Sequence, residues 1–323
     1  MTDALHVLVP VAPSEPDRLV EQTAKELSGL EPPPDCSISI TFVLDQRDSS
    51  EELALEGVDR LHRETTDGRR AGAVEYALER IDSPEYVALF DVDVRPDKDF
   101  LACCLAELRR RPRVKLVTGR RYVYNHDVGF TPRVVASGYE FLNIQQRVAQ
   151  FLRTYNHTNG CNGVLEYSAL VKHGFRPNQL TPDVDFTKRL YLGGDRMYVT
   201  DTTRIGEQAP PDFRSFLDQQ LRWMGGFVEN LLSDPDRDRL REAAFRLSAG
   251  WYAQLLLPFL GVFLVPLAPL FTLFGESDSD NWPFLIVFLT VYCAAMWVML
   301  LRIVVGYEKS WEPTTRTVKE QNS

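Results

Sequence analysis

Two stretches towards the C-terminal end, residues 251–275 and 282–301, hold no charged side chain. At ~1.5 Å per residue, a helix of about 20 apolar residues crosses the roughly 30 Å hydrocarbon core of a bilayer. This divides the chain into water-patterned residues 1–250 and lipid-patterned residues 251–306. Trp251, Tyr252, Trp282 and Tyr307 stand near the ends of the runs, where amphipathic rings favour the membrane interface. The connector 276–281 carries Glu276, Asp278 and Asp280 and no Lys or Arg. Arg237, Arg239, Arg241 and Arg246 precede the first run, and Arg302, Lys309, Arg316 and Lys319 follow the second. The positive-inside rule therefore predicts a multi-pass protein of the cell membrane with both termini cytoplasmic. Pro258, Pro266 and Pro269 predict a kinked or partly re-entrant first span. The competing reading is a pair of buried helices in a soluble core.

The water-patterned part alternates strand-like and helix-like segments. Residues 5–11, 37–44, 86–90 and 114–118 are short apolar runs, and 17–29, 67–81 and 97–111 have helical spacing. Such alternation predicts an α/β fold with a mainly parallel sheet flanked by helices, and ligands beyond the carboxyl ends of the strands. Asp45 and Asp91 sit at two of those ends. The net charge of −9 argues against a nucleic-acid partner. The five cysteines form no CxxC pair or regular framework, the five histidines lack metal-ligand spacing, and residues 1–17 show no basic-then-apolar leader.

Three clusters bear chemistry. Asp91-Val92-Asp93 follows an apolar strand and precedes Arg95-Pro96. On an ideal strand these carboxylates would diverge, but at a turn both can meet one ligand. Two carboxylates suit Mg²⁺ or Mn²⁺ whose shell is completed by substrate phosphates. Thr181-Pro182-Asp183-Val184-Asp185 opens a helix-like segment. It offers a general base, Asp183 or Asp185, and reads equally as a helix cap. Gln219-Gln220-Leu221-Arg222-Trp223 places amide, guanidinium and indole within about one helical turn. These groups suit hydroxyls, phosphate and a sugar face, or a helix lying on a membrane surface. The basic run Arg109, Arg110, Arg111 and Arg113 reads as a solvated helix end. Arg120 and Arg121 lie nearer the sheet end, and their role stays open.

In this order and spacing the clusters resemble family 2 inverting glycosyltransferases, which include cellulose, chitin and hyaluronan synthases. The resemblance covers roughly residues 5–226 plus the membrane segment. It implies a GT-A-type catalytic domain and a nucleotide-sugar donor, a UDP-sugar by family habit. Asp45, with Pro10 and the Arg69-Arg70 segment, is implied in nucleotide-sugar binding, and Asp91 and Asp93 in metal and diphosphate binding. Asp183 is the implied base; the family's usual acid before it is replaced by Pro182, which keeps Asp185 as an alternative. Gly160, Cys161 and Asn162 resemble the acceptor-side loop, and Gln219, Gln220, Arg222 and Trp223 the acceptor and diphosphate motif. The expected organisation is a cytoplasmic catalytic domain (1–230), an interfacial amphipathic connector (231–250), two transmembrane helices (251–306) and a cytoplasmic tail (307–323). Two helices fit addition of one sugar to a polyprenyl-lipid-linked glycan. A processive polysaccharide synthase needs a channel, which an oligomer or membrane partner would have to complete. An inactive membrane scaffold and a soluble nucleotidyltransferase are the rival classes.

Overall fold

The computed structural model describes residues 3–47, 53–157, 160, 162–177, 179–232, 266, 270 and 282–305. Its elements run β1 (Asp3–Val11), α1 (Asp17–Ser28), β2 (Cys36–Asp45), β3 (Asp59–Arg63), α2 (Arg69–Leu78), β4 (Tyr86–Leu89), β5 (Arg95–Pro96), α3 (Phe100–Arg110) and β6 (Val114–Val123). A 3₁₀ turn (His126–Val128) follows, then α4 (Phe130–Phe151), β7 (Gly163–Glu166), α5 (Tyr167–His173), α6 (Pro182–Leu192), β8 (Arg196–Glu207), α7 (Phe213–Leu232) and α8 (Trp282–Val304).

The strands form one sheet in the order β3-β2-β1-β4-β7-β6-β8-β5. Period-two alternation sorts β1 between two cores. Val7 and Val9 face one side with α1 and α3, while Leu8 faces the other with α2, α4, α6, α7 and α8. Pro10 is tolerated in β1 because β4 pairs with β1 only as far as Leu8↔Leu89, so beyond that point β2 is the remaining neighbour.

The expected mainly parallel sheet is instead mixed. Four strand pairs are parallel and three antiparallel. The short β7 enters antiparallel between β4 and β6, and its four residues are too few to leave a periodic signal. Its reversal brings the start of β7 beside the end of β4, with Leu89 opposite Gly163.

Of the two expected membrane helices, the second is α8. Among the described residues, its span Trp282–Arg302 is the one helix long and apolar enough to cross a membrane, and 44% of it is buried against the rest of the chain. The first run lies outside the described residues except for Pro266 and Leu270, so the two-helix anchor is unsupported here. Helix α8 docks on α4 and α7. The Phe288 ring lies 6.0 Å from that of Phe216, and Phe284 lies 5.7 Å from Phe130. A Cβ at Gly138 would overlap the Phe288 ring, and one at Gly225 would lie 2.9 Å from Met299 Cε. Small residues thus admit the close approach.

Candidate active site

The ends of β1, β2 and β4 open into a cleft of about 490 Å³. Its wall includes Pro10, Asp45, Arg69, Arg70, Asp91, Asp93, Gly160, Asn162, Asp183, Gln219, Arg222 and Trp223. The cleft therefore gathers residues from across the chain that the sequence reading had grouped by their chemistry and by family resemblance.

Asp91 and Asp93 meet at a turn after β4, closed by the Val94 amide donating to the Asp91 carbonyl at 3.3 Å. The turn breaks the strand's alternation and leaves both side chains on the cleft wall. Arg70 Nε lies 2.9 Å from Asp91 Oδ1. The Asn162 amide donates to Asp91 Oδ2 at 3.2 Å, and Asn162 Oδ1 accepts from the Asp91 N–H at 2.9 Å. Among the described residues no cluster of three or more His, Cys, Asp or Glu forms a self-contained cage. The pair fits a hard cation completed by diphosphate and water.

Asp45 reaches the cleft wall but is 4% exposed. Arg63, which sequence reasoning missed, grips it with two donors: Nε to Oδ1 at 2.7 Å and Nη2 to Oδ2. The same guanidinium donates to the carbonyls of Asp67 at 2.6 Å and Arg69 at 3.2 Å. Asp45 thus anchors the loop that presents Arg69 and Arg70. That loop needs glycine at 68, where φ is +68°, and at 72, where a Cβ would collide with the Asp67 carbonyl.

Positions 183 and 185 are about 200° apart around α6, so their side chains diverge. Asp183 lines the cleft and accepts the Gly160 N–H at 2.6 Å. Asp185 is 2% exposed and absent from the cleft wall, with Arg189 Nε at 2.8 Å and Arg176 Nη1 at 3.4 Å. The capping reading fails for Thr181, which makes no side-chain cap bond; its Oγ1 accepts from Asn230 at 3.1 Å.

On α7, Gln219, Arg222 and Trp223 face the cleft, and Met224 and Phe227 extend it into an apolar half. Gln220 turns the other way and is 0% exposed. Tyr292 of α8 completes this half, a contribution that no sequence motif marked. Cys161 lies outside the described residues. The basic run ends in surface ion pairs, with Arg109 on Asp3 at 2.7 Å and Arg110 on Glu107 at 2.7 Å. Arg121, by contrast, is 8% exposed and lies beneath the cleft. Burial is the largest single influence and opposes its charge, but Glu207, Tyr139 and Asp183 together hold the guanidinium above its usual range.

Residues 86–305 match the model of a family described as glycosyl transferase family group 2. Glucomannan 4-beta-mannosyltransferase 7 of Arabidopsis thaliana is 30% identical over 195 residues, 59% of this chain and 35% of that protein. The probable glucomannan 4-beta-mannosyltransferase 4 of Oryza sativa subsp. japonica is 27% identical over 168 residues, 51% of this chain and 31% of its own. The chain thus spans about a third of the length of these curated relatives. Among solved structures, the mannosyltransferase PcManGT from Pyrobaculum calidifontis, in complex with GDP-Man and Mn²⁺, superposes with a TM-score of 0.65. It is 15% identical, with 92% of this chain and 86% of that one covered, and the likeness speaks to a shared GT-A-like α/β fold. The family match takes in the DxD turn, the helix that carries Asp183, the arginine-tryptophan helix and α8, more than half of the chain, and the chain belongs to glycosyl transferase family group 2.

Proposed function

We propose that this glycosyltransferase moves a mannosyl unit from GDP-mannose, with inversion, to a polyprenyl-lipid-linked glycan at the membrane. The carrying observation is the cleft itself. A turn of two carboxylates, Asp91 and Asp93, stands across Gly160 from a third, Asp183, that takes no part in that turn. One pair suits a diphosphate, and the separate carboxylate suits an acceptor hydroxyl.

A divalent cation, Mn²⁺ or Mg²⁺, held by Asp91 and Asp93 would neutralise charge on the leaving diphosphate. Arg69, Arg70 and Arg222 bind the phosphates. Asp183 takes the proton of the acceptor hydroxyl as its oxygen bonds to the anomeric carbon. The sugar–phosphate bond breaks on the opposite face, its electron pair leaves with the diphosphate, and configuration inverts. Trp223 offers a flat face to the acceptor sugar. Asp185, tied to Arg189, supports α6 instead of acting on substrate.

The sequence expectation of a UDP-sugar yields first place to GDP-mannose because the relatives are named mannosyltransferases and the neighbouring structure is titled with GDP-Man. The lipid-linked acceptor is supported by Tyr292, which brings a membrane-length helix to the cleft wall. In this reading residues 1–230 and both termini are cytoplasmic, and residues 251–306 form the anchor. The relatives' glucomannan names favour a second reading, extension of a polysaccharide chain.

The test is the full chain in detergent with Mn²⁺, a panel of GDP- and UDP-sugars, and membrane lipid extract as acceptor. A single hexose increment on a lipid with GDP-mannose is the expected result. A ladder of increments would favour the second reading. No hydrolysis or transfer from any donor would leave the inactive scaffold.

A further inference from the structure

Beneath the DxD turn, four neighbouring strands β4, β7, β6 and β8 contribute to one buried polar chain. Glu207 ends β8 and is 9% exposed. Its Oε1 accepts from Arg121 Nε at 2.7 Å and from the Asn162 amide at 3.5 Å. Its Oε2 accepts from Arg121 Nη2 and from the Tyr139 hydroxyl at 3.0 Å. Arg121 Nη2 also donates to the Tyr139 oxygen at 2.8 Å, so donors and acceptors run in one direction. A register shift between Gly119 and Arg120 re-aims the backbone of β6. Asn143 ties that backbone down, donating to the Arg121 carbonyl at 2.8 Å and accepting its N–H at 3.3 Å.

The chain ends on Asn162. Its carbonyl accepts from the Thr118 hydroxyl at 2.5 Å, and its side-chain amide clasps Asp91 from both sides. Those two bonds fix which way the amide points, and Glu207 receives the same NH₂ group. Glu207 borders the cleft, but each of its carboxylate oxygens already accepts two bonds inside the protein.

We infer that Glu207, braced by Arg121 and Tyr139, is a positioning residue that sets the Asp91 carboxylate through Asn162. The inference rests on Asp91 holding the cation and diphosphate. Partners behind a carboxylate ligand commonly change metal affinity ~10–100-fold when removed.

The experiment measures Mn²⁺ binding to the full-length protein with GDP present, by electron paramagnetic resonance, alongside kcat, KM and thermal stability. Glu207→Gln is expected to weaken Mn²⁺ binding ~10-fold, and Tyr139→Phe to weaken it in the same direction by less. Combining Glu207→Gln with Asn162→Ala should be no worse than Asn162→Ala alone, because both act through one group. Where Glu207→Gln does not fold, Tyr139→Phe decides. Unchanged Mn²⁺ binding in the folded variants, or full additivity in the double variant, overturns the positioning role even if stability falls. If Asp91→Asn itself leaves Mn²⁺ binding intact, the metal-site reading beneath it has failed instead.

Discussion

The backbone amide of Gly160 donates to the Asp183 carboxylate at 2.6 Å, while a Cβ at Gly160 would lie 3.2 Å from Asp91 Oδ2. A single glycine, with φ of +81°, therefore spaces the proposed base from the proposed metal carboxylate. Gly160→Ala strains the left-handed backbone and crowds Asp91 Oδ2 and the Asn162 amide. Turnover should fall ~100-fold, as expected when reacting groups shift by about 1 Å. Steady-state kinetics on GDP-mannose check this, beside a loss of stability of about 1–2 kcal/mol from the strained backbone.

Asp183 and Asp185 should separate cleanly. Asp183→Asn removes the proton acceptor and should lower kcat by ~10²–10⁴-fold while donor binding, read by calorimetry, persists. Asp185→Ala leaves the largely enclosed Arg189 without its carboxylate, though still bonded to the His173 and Gly174 carbonyls, and should cost up to about 3 kcal/mol of stability, read by denaturant unfolding. Normal turnover in Asp183→Asn would remove it as the base.

Arg63→Lys keeps the charge but loses the planar fork that joins Asp45 to the 67–69 carbonyls. The loop carrying Arg69 and Arg70 should loosen, raising donor KM ~10-fold or more, about the worth of one charged hydrogen bond. A change confined to kcat would contradict this placing of Arg63.

Gly138→Val drives a side chain into the Phe288 ring and should unseat α8 from α4. Activity should drop while the protein still sediments with membranes, because the helix keeps its apolar length. Fractionation with a parallel transfer assay distinguishes lost docking from lost insertion.

Acidification should destabilise the fold through His6. Its ring bonds to Thr41 at 2.7 Å and Ser39 at 2.8 Å. Burial pushes it below the usual imidazole range, against the pull of Asp59 and Asp82. The unfolded chain therefore takes up the proton first, at about pH 6.5. Stability is full above that value and is lost as pH falls through it. Melting temperature from pH 7.5 to 5.5 should decline in the wild type and decline less in His6→Gln.

Chemistry at points of chain punctuation could be read from sequence. Asp91 and Asp93 follow an apolar strand, Asp183 opens a helix beside a proline, and Gln219, Arg222 and Trp223 fall within about one helical turn. What supports them could not. Arg63 lies in Asp59–Arg63, a strand without apolar alternation. Glu207 closes a strand interrupted by exposed Asp201 and Thr202. Its partner Tyr139 is 68 positions away on a helix whose pattern speaks only of burial. Asp45 was visible as a strand-end acid, but its engagement by Arg63 depends on β2 and β3 pairing in register.

Tyr292 belongs to the helix synthesised after every other wall of the cleft. On the ribosome Asp91, Asp93, Asp183 and Trp223 all emerge before it. The apolar half of the cleft then stays open until α8 has settled into the seat beside Gly138 and Phe216. Synthesis of the long apolar helix and closure of the cleft's apolar half thus converge on one late event, so a chain released before residue 292 lacks that part of the wall.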